Sequence, residues 1–219
     1  MYGCALCIRE EIYASDHPMV LATKNNIAQV YASEERYGEA ISLFETVIRE
    51  YRENSTEDSA FLAAVYDNLS TAYREMERYE DAIDICTEGL NIRKNIYGKR
   101  SLDCAISLNN LALIYYEMGI LNDATDIFSE ALAIKKETLP EIHGQISIGY
   151  FNLGLVYDKL HRDNEALENY RVSMEIDNEL EACEDVLLTA EYIAEIYERN
   201  DMPEDAEAYR TLCSKDDVH

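Results

Sequence analysis

The chain has 219 residues, of which 47% are hydrophobic, so it is long and apolar enough to bury a continuous core. Its formal net charge of −25 disfavours nucleic-acid phosphates and anionic membranes as partners, whereas a basic protein or peptide is permitted. No apolar run reaches the roughly 18 residues that a membrane span needs. The six cysteines are scattered along the chain, which is typical of free thiols and not of a disulfide framework. Free thiols indicate a reducing compartment and favour a cytoplasmic location.

A repeat of 42 residues runs along the chain. Two ladders define it, and each shortens to 40 residues at its last step: Tyr31, Tyr73, Tyr115, Tyr157 and Tyr197, and Ala40, Ala82, Ala124, Ala166 and Ala206. Fixed periods of this length are typical of solenoids made of stacked supersecondary units. Solenoids mostly present binding surfaces, so the period already favours binding over catalysis.

Each unit reads as two helical stretches separated by a short polar break. In the first stretch, apolar residues recur at helical spacing, as in Leu108, Leu111, Ala112 and Tyr115. Asp16, His17 and Pro18 provide a cap and a first-turn proline before the first full unit. In chain order the pattern predicts helices over 20–34, 37–53, 59–76, 79–97, 101–118, 121–138, 143–160, 163–180, 184–199 and 203–214.

These helices group into a single repeat domain over residues 1–219. The pattern predicts full repeats over 18–58, 59–100, 101–142 and 143–183. Residues 1–14 align with the second helix of a unit that lacks its first helix, so we expect either a piece of a longer array or a capping helix. Residues 184–215 form a shortened unit with a polar end, which is typical of a C-terminal cap.

The helix pairs and the ladder of small residue, tyrosine and alanine resemble tetratricopeptide repeats. The segments LNNLALIYYEMG (108–119) and DHPMVLATKNNIA (16–28) resemble the 42-residue repeats of kinesin light chains. The resemblance implies an all-α fold, a right-handed superhelical solenoid of antiparallel helix pairs. First helices would line its concave groove and bind an extended peptide or a partner helix. The charge is opposite to that of motor light-chain grooves, so neither their acidic cargo nor the motor role is carried over.

A polar ladder lies beside the tyrosines and consists of Asn26, Asn68, Asn110 and Asn152. An asparagine both donates and accepts, so a row of them could hold the backbone of an extended peptide with little sequence preference. Alternatively, each asparagine bonds a neighbouring helix and fixes the stacking. The resemblance places this ladder on the groove side, and both interpretations stay open.

The predicted groove also contains apolar side chains where a solvated face would be polar. Tyr116 and Phe151 are predicted to anchor an apolar group of the ligand, while Leu113 and Leu155 fit packing against adjacent helices as well. The predicted peptide-binding residues are Asn25, Asn26, Gln29, Asn68, Thr71, Asn109, Asn110, Leu113, Tyr116, Phe151, Asn152 and Leu155.

No motif indicates catalysis, a cofactor or a metal. Cys4 and Cys7 form a CxxC pair, but a zinc site needs two further ligands, and neither a second CxxC nor an HxxxH occurs. The four histidines lie in connectors or at the terminus, and no glycine-rich loop resembles a phosphate site. We therefore predict no catalytic residue, no cofactor and no metal ligand.

The sequence supports one favoured function and two alternatives. We favour a non-catalytic protein–protein interaction scaffold that binds a peptide or protein segment in its concave groove, with carboxylates selecting basic ligands. The first alternative is a regulatory or sensor array of a larger enzyme or signalling protein. The second is an oligomerisation module that self-associates through its N-terminal helix.

Overall fold

The computed structural model describes residues 9, 12–54 and 59–214, and this part of the chain contains helices and no strand. The helices are α1 (Pro18–Ser33), α2 (Tyr37–Asn54), α3 (Ala60–Glu75), α4 (Tyr79–Tyr97), α5 (Leu102–Glu117), α6 (Leu121–Thr138), α7 (Gly144–Lys159), α8 (Asp163–Glu179), α9 (Cys183–Arg199) and α10 (Pro203–Ser214). Their ends lie within two residues of the predicted ends. The all-α fold of consecutive helix pairs is therefore confirmed.

The chain forms two compact units, Met1–Ile114 and Tyr115–His219, and the boundary falls within α5. Odd-numbered helices are the first helices of the pairs, and even-numbered helices are the second. In the first unit α1 packs on α2, α2 on α3 and α3 on α4; in the second, α6 packs on α7, α7 on α8, α8 on α9 and α9 on α10. The helix predicted within residues 1–14 lies outside the described residues except at positions 9 and 12–14.

The tight turn inside each pair is bonded to the tyrosine that marks the repeat. One residue per turn has a left-handed backbone with φ between 56° and 78°, and these residues are Glu35, Glu77, Gly119, His161 and Asp201. The next residue donates its N–H to the carbonyl of the ladder tyrosine, as Arg36 does to Tyr31 at 2.9 Å. This bond satisfies a helix-end carbonyl. The Arg36 guanidinium also lies 4.2 Å from the centroid of the Tyr31 ring, so backbone and ring both stabilise the turn.

Small residues sit where the two helices of a pair cross, as the sequence predicted. Ala28, Ser70 and Gly154 are buried on first helices. A Cβ added at Gly154 would lie only 2.5 Å from the ring of Tyr170, so the tyrosine can occupy the crossing only because this position has no side chain.

Candidate functional site

In the first unit, the predicted groove residues divide by exposure. Asn26 and Gln29 on α1 and Thr71 on α3 are exposed, whereas Asn25 is buried and Asn68 is half-buried. Gln29 and Thr71 occupy the same position of successive repeats. First helices of this unit therefore present polar side chains to solvent at the predicted positions.

One asparagine of the ladder takes part in helix stacking. Asn68 Nδ2 donates to Asn25 Oδ1 at 3.2 Å and so links α3 to α1. The bond is the alternative that the sequence left open, although it uses only one of the donors of Asn68. Within the described residues the Oδ1 atom of Asn68 accepts no hydrogen bond, so a half-buried carbonyl remains for a ligand.

Asn109, Asn110 and Leu113 lie on α5 and are half-buried. Asp67 occupies the position of Asn109 in the preceding repeat and is bonded to a residue of α4. Arg93 Nη1 forms an ion pair with Asp67 Oδ2 and donates to Ser107 Oγ. Burial raises the pKa of Asp67, and the charge and hydrogen bond of Arg93 act against that rise. The register alone would place the Asp67 carboxylate in the predicted groove, but this network pairs it within the protein.

In the second unit, Phe151 belongs to a cluster of aromatic rings. Its centroid lies 5.4 Å from that of Tyr192 in an edge-to-face arrangement and 5.5 Å from that of Tyr170. Phe151 and Leu155 are both partly buried and pack against the core cluster around Tyr170. Packing on adjacent helices is thus part of the role of both residues, while each keeps some exposed surface. Asn152, on the same helix, is buried.

Tyr116 has a ring face that already holds a cation. Lys159 Nζ lies 4.4 Å from the ring centroid and donates to the Tyr116 carbonyl at 3.2 Å. Partial burial, followed by the nearby Tyr192 and Asp158, raises the pKa of the Tyr116 hydroxyl. The half-buried ring therefore combines an apolar surface with an affinity for positive charge.

Two carboxylates near this aromatic cluster form ion pairs with an arginine of the same unit. Arg199 bridges Asp158 of α7 and Asp163 of α8, and Asn200 Nδ2 donates to Asp163 at 2.5 Å. The hydrogen bond from Arg199 is the main reason that the pKa of Asp163 is lowered. The network joins α7, α8 and the end of α9, and it fixes the position of Asp158 beside the aromatic rings.

Asp177 is a buried acid at the crossing of α7 and α8. Asp177 is 5% exposed and lies 3.5 Å from the hydroxyl of Ser173, which is itself 2.9 Å from the hydroxyl of Ser147. Asp177 is not among the site residues predicted from the sequence. A signal existed, because Arg93, Lys135 and Asp177 follow one another at 42 residues and place a charged residue at the same position of three repeats.

Metal and thiol chemistry find little support in the described part of the chain. No group of three or more His, Cys, Asp or Glu residues there is placed to hold a metal ion. Among those same residues, no helix is both long and apolar enough to cross a membrane. Cys86 and Cys104 are buried free thiols, and burial raises the pKa of Cys86 to about 12, which suppresses its thiolate. The Cys4–Cys7 pair lies outside the described residues.

Comparisons with known proteins agree with this architecture. Family models described as tetratricopeptide repeat match residues 20–55, 61–137 and 149–180. No relative is found among curated proteins. The structure of BtubC (BKLC) from P. vanneervenii is similar with a TM-score of 0.85 and 19% identity, over 100% of this chain and 90% of that one.

Two further structures share the fold. The nearly identical TPR-like repeats of a Podosopora anserina protein named after kinesin light chains align with a TM-score of 0.78 and 20% identity, over 93% of this chain and 99% of theirs. The Rap conjugation gene regulator of plasmid pLS20, in complex with the Phr* peptide, aligns with a TM-score of 0.71 and 18% identity, over 89% of this chain and 52% of that one. The 42-residue repeats are thus similar in structure to the TPR-like repeats of the Podosopora anserina protein. Taken with the helix pairs, the family matches show that the chain belongs to the tetratricopeptide-repeat proteins.

Proposed function

We propose that the chain is a non-catalytic interaction scaffold that binds a peptide or protein segment through its first helices. The observation that carries the proposal is the exposure of Gln29 and Thr71 at the same position of successive repeats, with Asn26 also exposed on α1. Amide and hydroxyl groups at these positions can donate to and accept from a peptide backbone. Asn68 adds its Oδ1 atom to the same set.

In the second unit, the half-buried rings of Tyr116, Phe151 and Tyr192 provide an anchor for an apolar side chain of the ligand. Aromatic side chains dominate binding energy where they are partly buried already, because little further ordering is needed on binding. The position of Lys159 on Tyr116 supports a ligand that carries positive charge, since a cationic group of the ligand can take the place of the lysine.

The overall charge supports the same class of ligand. Arginines on the surface are largely engaged within the chain: Arg36 with Glu39, Arg78 with Asp81 and Arg162 with Glu165. Acidic residues outnumber basic ones by 44 to 19, so the chain carries a large excess of negative charge. Such a surface attracts basic segments and repels acidic ones.

The peptide complex of the Rap regulator shows that a chain with this fold can bind a peptide. The buried thiols of Cys86 and Cys104 favour a reducing compartment, so we propose the cytoplasm as the location of this chain. Self-association through the N-terminal helix stays a prediction.

Random peptides displayed on phage and selected on the full chain test the proposal. Selected peptides are expected to be rich in lysine, arginine and large apolar residues. Their affinity, measured by fluorescence polarisation, is expected to fall at least about ten-fold in the triple variant N26A/Q29A/T71A, because several polar contacts are lost together.

A matched triple variant on the second helix α4, T87A/N91A/N95A, removes the same kinds of exposed group and is expected to bind normally. Circular dichroism of both variants checks that the fold is intact. Equal binding by the first-helix variant, or loss of binding in the α4 variant alone, would overturn the proposal.

A further inference from the structure

A small cavity of about 130 Å³ opens in the second unit, where the first turns of α7 and α9 meet the end of α8. Three large aliphatic side chains line it and are nevertheless exposed: Ile148 at 52%, Leu180 at 41% and Leu188 at 51%. Exposed aliphatic residues are usually scattered singly, whereas these three lie around one opening.

The lining of the cavity also includes polar side chains. It contains Asp177 with the hydroxyls of Ser147 and Ser173, and Asp185 lies at the same opening. Asp177 is 95% buried, and among the described residues no lysine, arginine or histidine forms an ion pair with it. Burial, together with the nearby charge of Asp185, raises the pKa of Asp177.

In the first unit, the equivalent buried position has a cation that is paired with an acid. At the position that Asp177 occupies in its repeat, the second repeat has Arg93, and this cation pairs with Asp67 inside the protein. Phe151 stands at the position equivalent to Asp67 two repeats later, so the fourth repeat has the acid without a cation. A buried carboxylate without a counter-charge is unfavourable, and a cation from outside would relieve that cost.

We infer that this cavity binds the side chain of a lysine or arginine in a partner segment. The aliphatic stem packs between Ile148, Leu180 and Leu188, and the cationic head reaches Asp177. The volume fits this size of group, because pockets for whole small molecules usually measure about 300–1,000 Å³. The inference rests on the proposed function, since it specifies one residue of the bound segment.

Methyl NMR of the full chain tests the site without a known partner. The probes are n-butylammonium chloride, which mimics a lysine side chain, n-butylguanidinium chloride, which mimics arginine, and 1-pentanol, a neutral molecule of similar shape. Both cations are expected to shift the methyl signals of Ile148, Leu180 and Leu188 saturably. They are expected to bind at least about ten-fold more tightly than the alcohol, since a bond between charged groups adds to the shared apolar contact.

Asp177→Asn is expected to abolish the preference for cations while the alcohol binds as before. Asp126→Asn, the same change at an exposed position of α6, is the control and is expected to leave the preference intact. The inference is overturned if wild type shows no saturable shift or no preference for cations, or if Asp177→Asn keeps that preference. These probes do not use the first-helix residues of the peptide assay, so the two proposals fail separately.

Discussion

Replacing Tyr170 with phenylalanine is expected to stabilise the protein, although deleting a tyrosine hydroxyl usually does the opposite. Tyr170 is 0% exposed, and its hydroxyl has no hydrogen-bond partner among the described residues. A buried polar group without a partner costs about 1–3 kcal/mol. The ring contacts with Phe151 and Tyr192 persist in the variant, because phenylalanine keeps the ring in place.

The expected gain is on the order of 1 kcal/mol, since removal of the oxygen also leaves a small void. For a chain of this length, that gain corresponds to a rise in Tm of about 2–4 °C. Urea unfolding followed by far-UV circular dichroism measures the free energy, and an unchanged m value shows that the native and unfolded states are comparable.

Tyr73→Phe is the matched control. Tyr73 is also buried, but its hydroxyl donates to Glu45 Oε1 at 2.6 Å. The same change there removes a hydrogen bond to a charged group, so we expect a loss of about 1.5–3 kcal/mol. If Tyr170→Phe lowers the free energy of unfolding as Tyr73→Phe does, the hydroxyl of Tyr170 contributes favourably and the reasoning is refuted.

Three further predictions concern stability. Gly154→Ala is expected to lower the free energy of unfolding by about 1–2 kcal/mol, because the new methyl meets a tyrosine ring at 2.5 Å and helix propensity offsets only about 1 kcal/mol of the overpacking. Gly38→Ala, with nothing within 4 Å, should be neutral or stabilising, and the opposite order in urea unfolding would contradict the packing argument. Arg93→Met leaves Asp67 buried without its cation and is expected to cost about 3–5 kcal/mol, most of which the double variant R93M/D67L should recover; a double variant as unstable as R93M would show that the ion pair is not the cause. Burial raises the pKa of Asp177, so the folded protein keeps this proton at a pH where the unfolded chain has lost it. The contribution of Asp177 to stability therefore falls as pH rises from the ordinary carboxyl range through the raised pKa, and Asp177→Asn should stabilise at neutral pH but not in acid. Urea unfolding over a series of pH values measures this difference, and a difference that does not change with pH would be evidence against it.

The candidate site was less predictable than the fold. The sequence placed Gln29 and Thr71 on first helices, and the structure exposes them there. It also allowed Phe151 to be a free anchor, whereas the structure packs part of that ring against Tyr170 and Tyr192. The repeat register predicts which residues share a helix face. The size of the neighbouring side chains decides how much of the surface of each residue stays exposed.

The helices and their pairing follow from the sequence by itself. Apolar spacing and the polar breaks are local signals, and they placed helix ends such as those of α6 and α10 at the observed residues. The repeated small residues, including Gly154, likewise marked the helix crossings, because a crossing of fixed geometry demands a small residue at a fixed position.

Only the tertiary structure decided which buried charged residues form ion pairs and which do not. Arg93 and Asp67 are 26 residues apart on different helices, and no local pattern distinguishes that buried pair from the many exposed charges around it. That Asp177 lies beside the hydroxyls of Ser173 and Ser147, and forms no ion pair among the described residues, depends equally on the residues across the helix crossing. Hydrogen bonding and burial between helices are set by how side chains fit in three dimensions, which is information that a one-dimensional period does not carry.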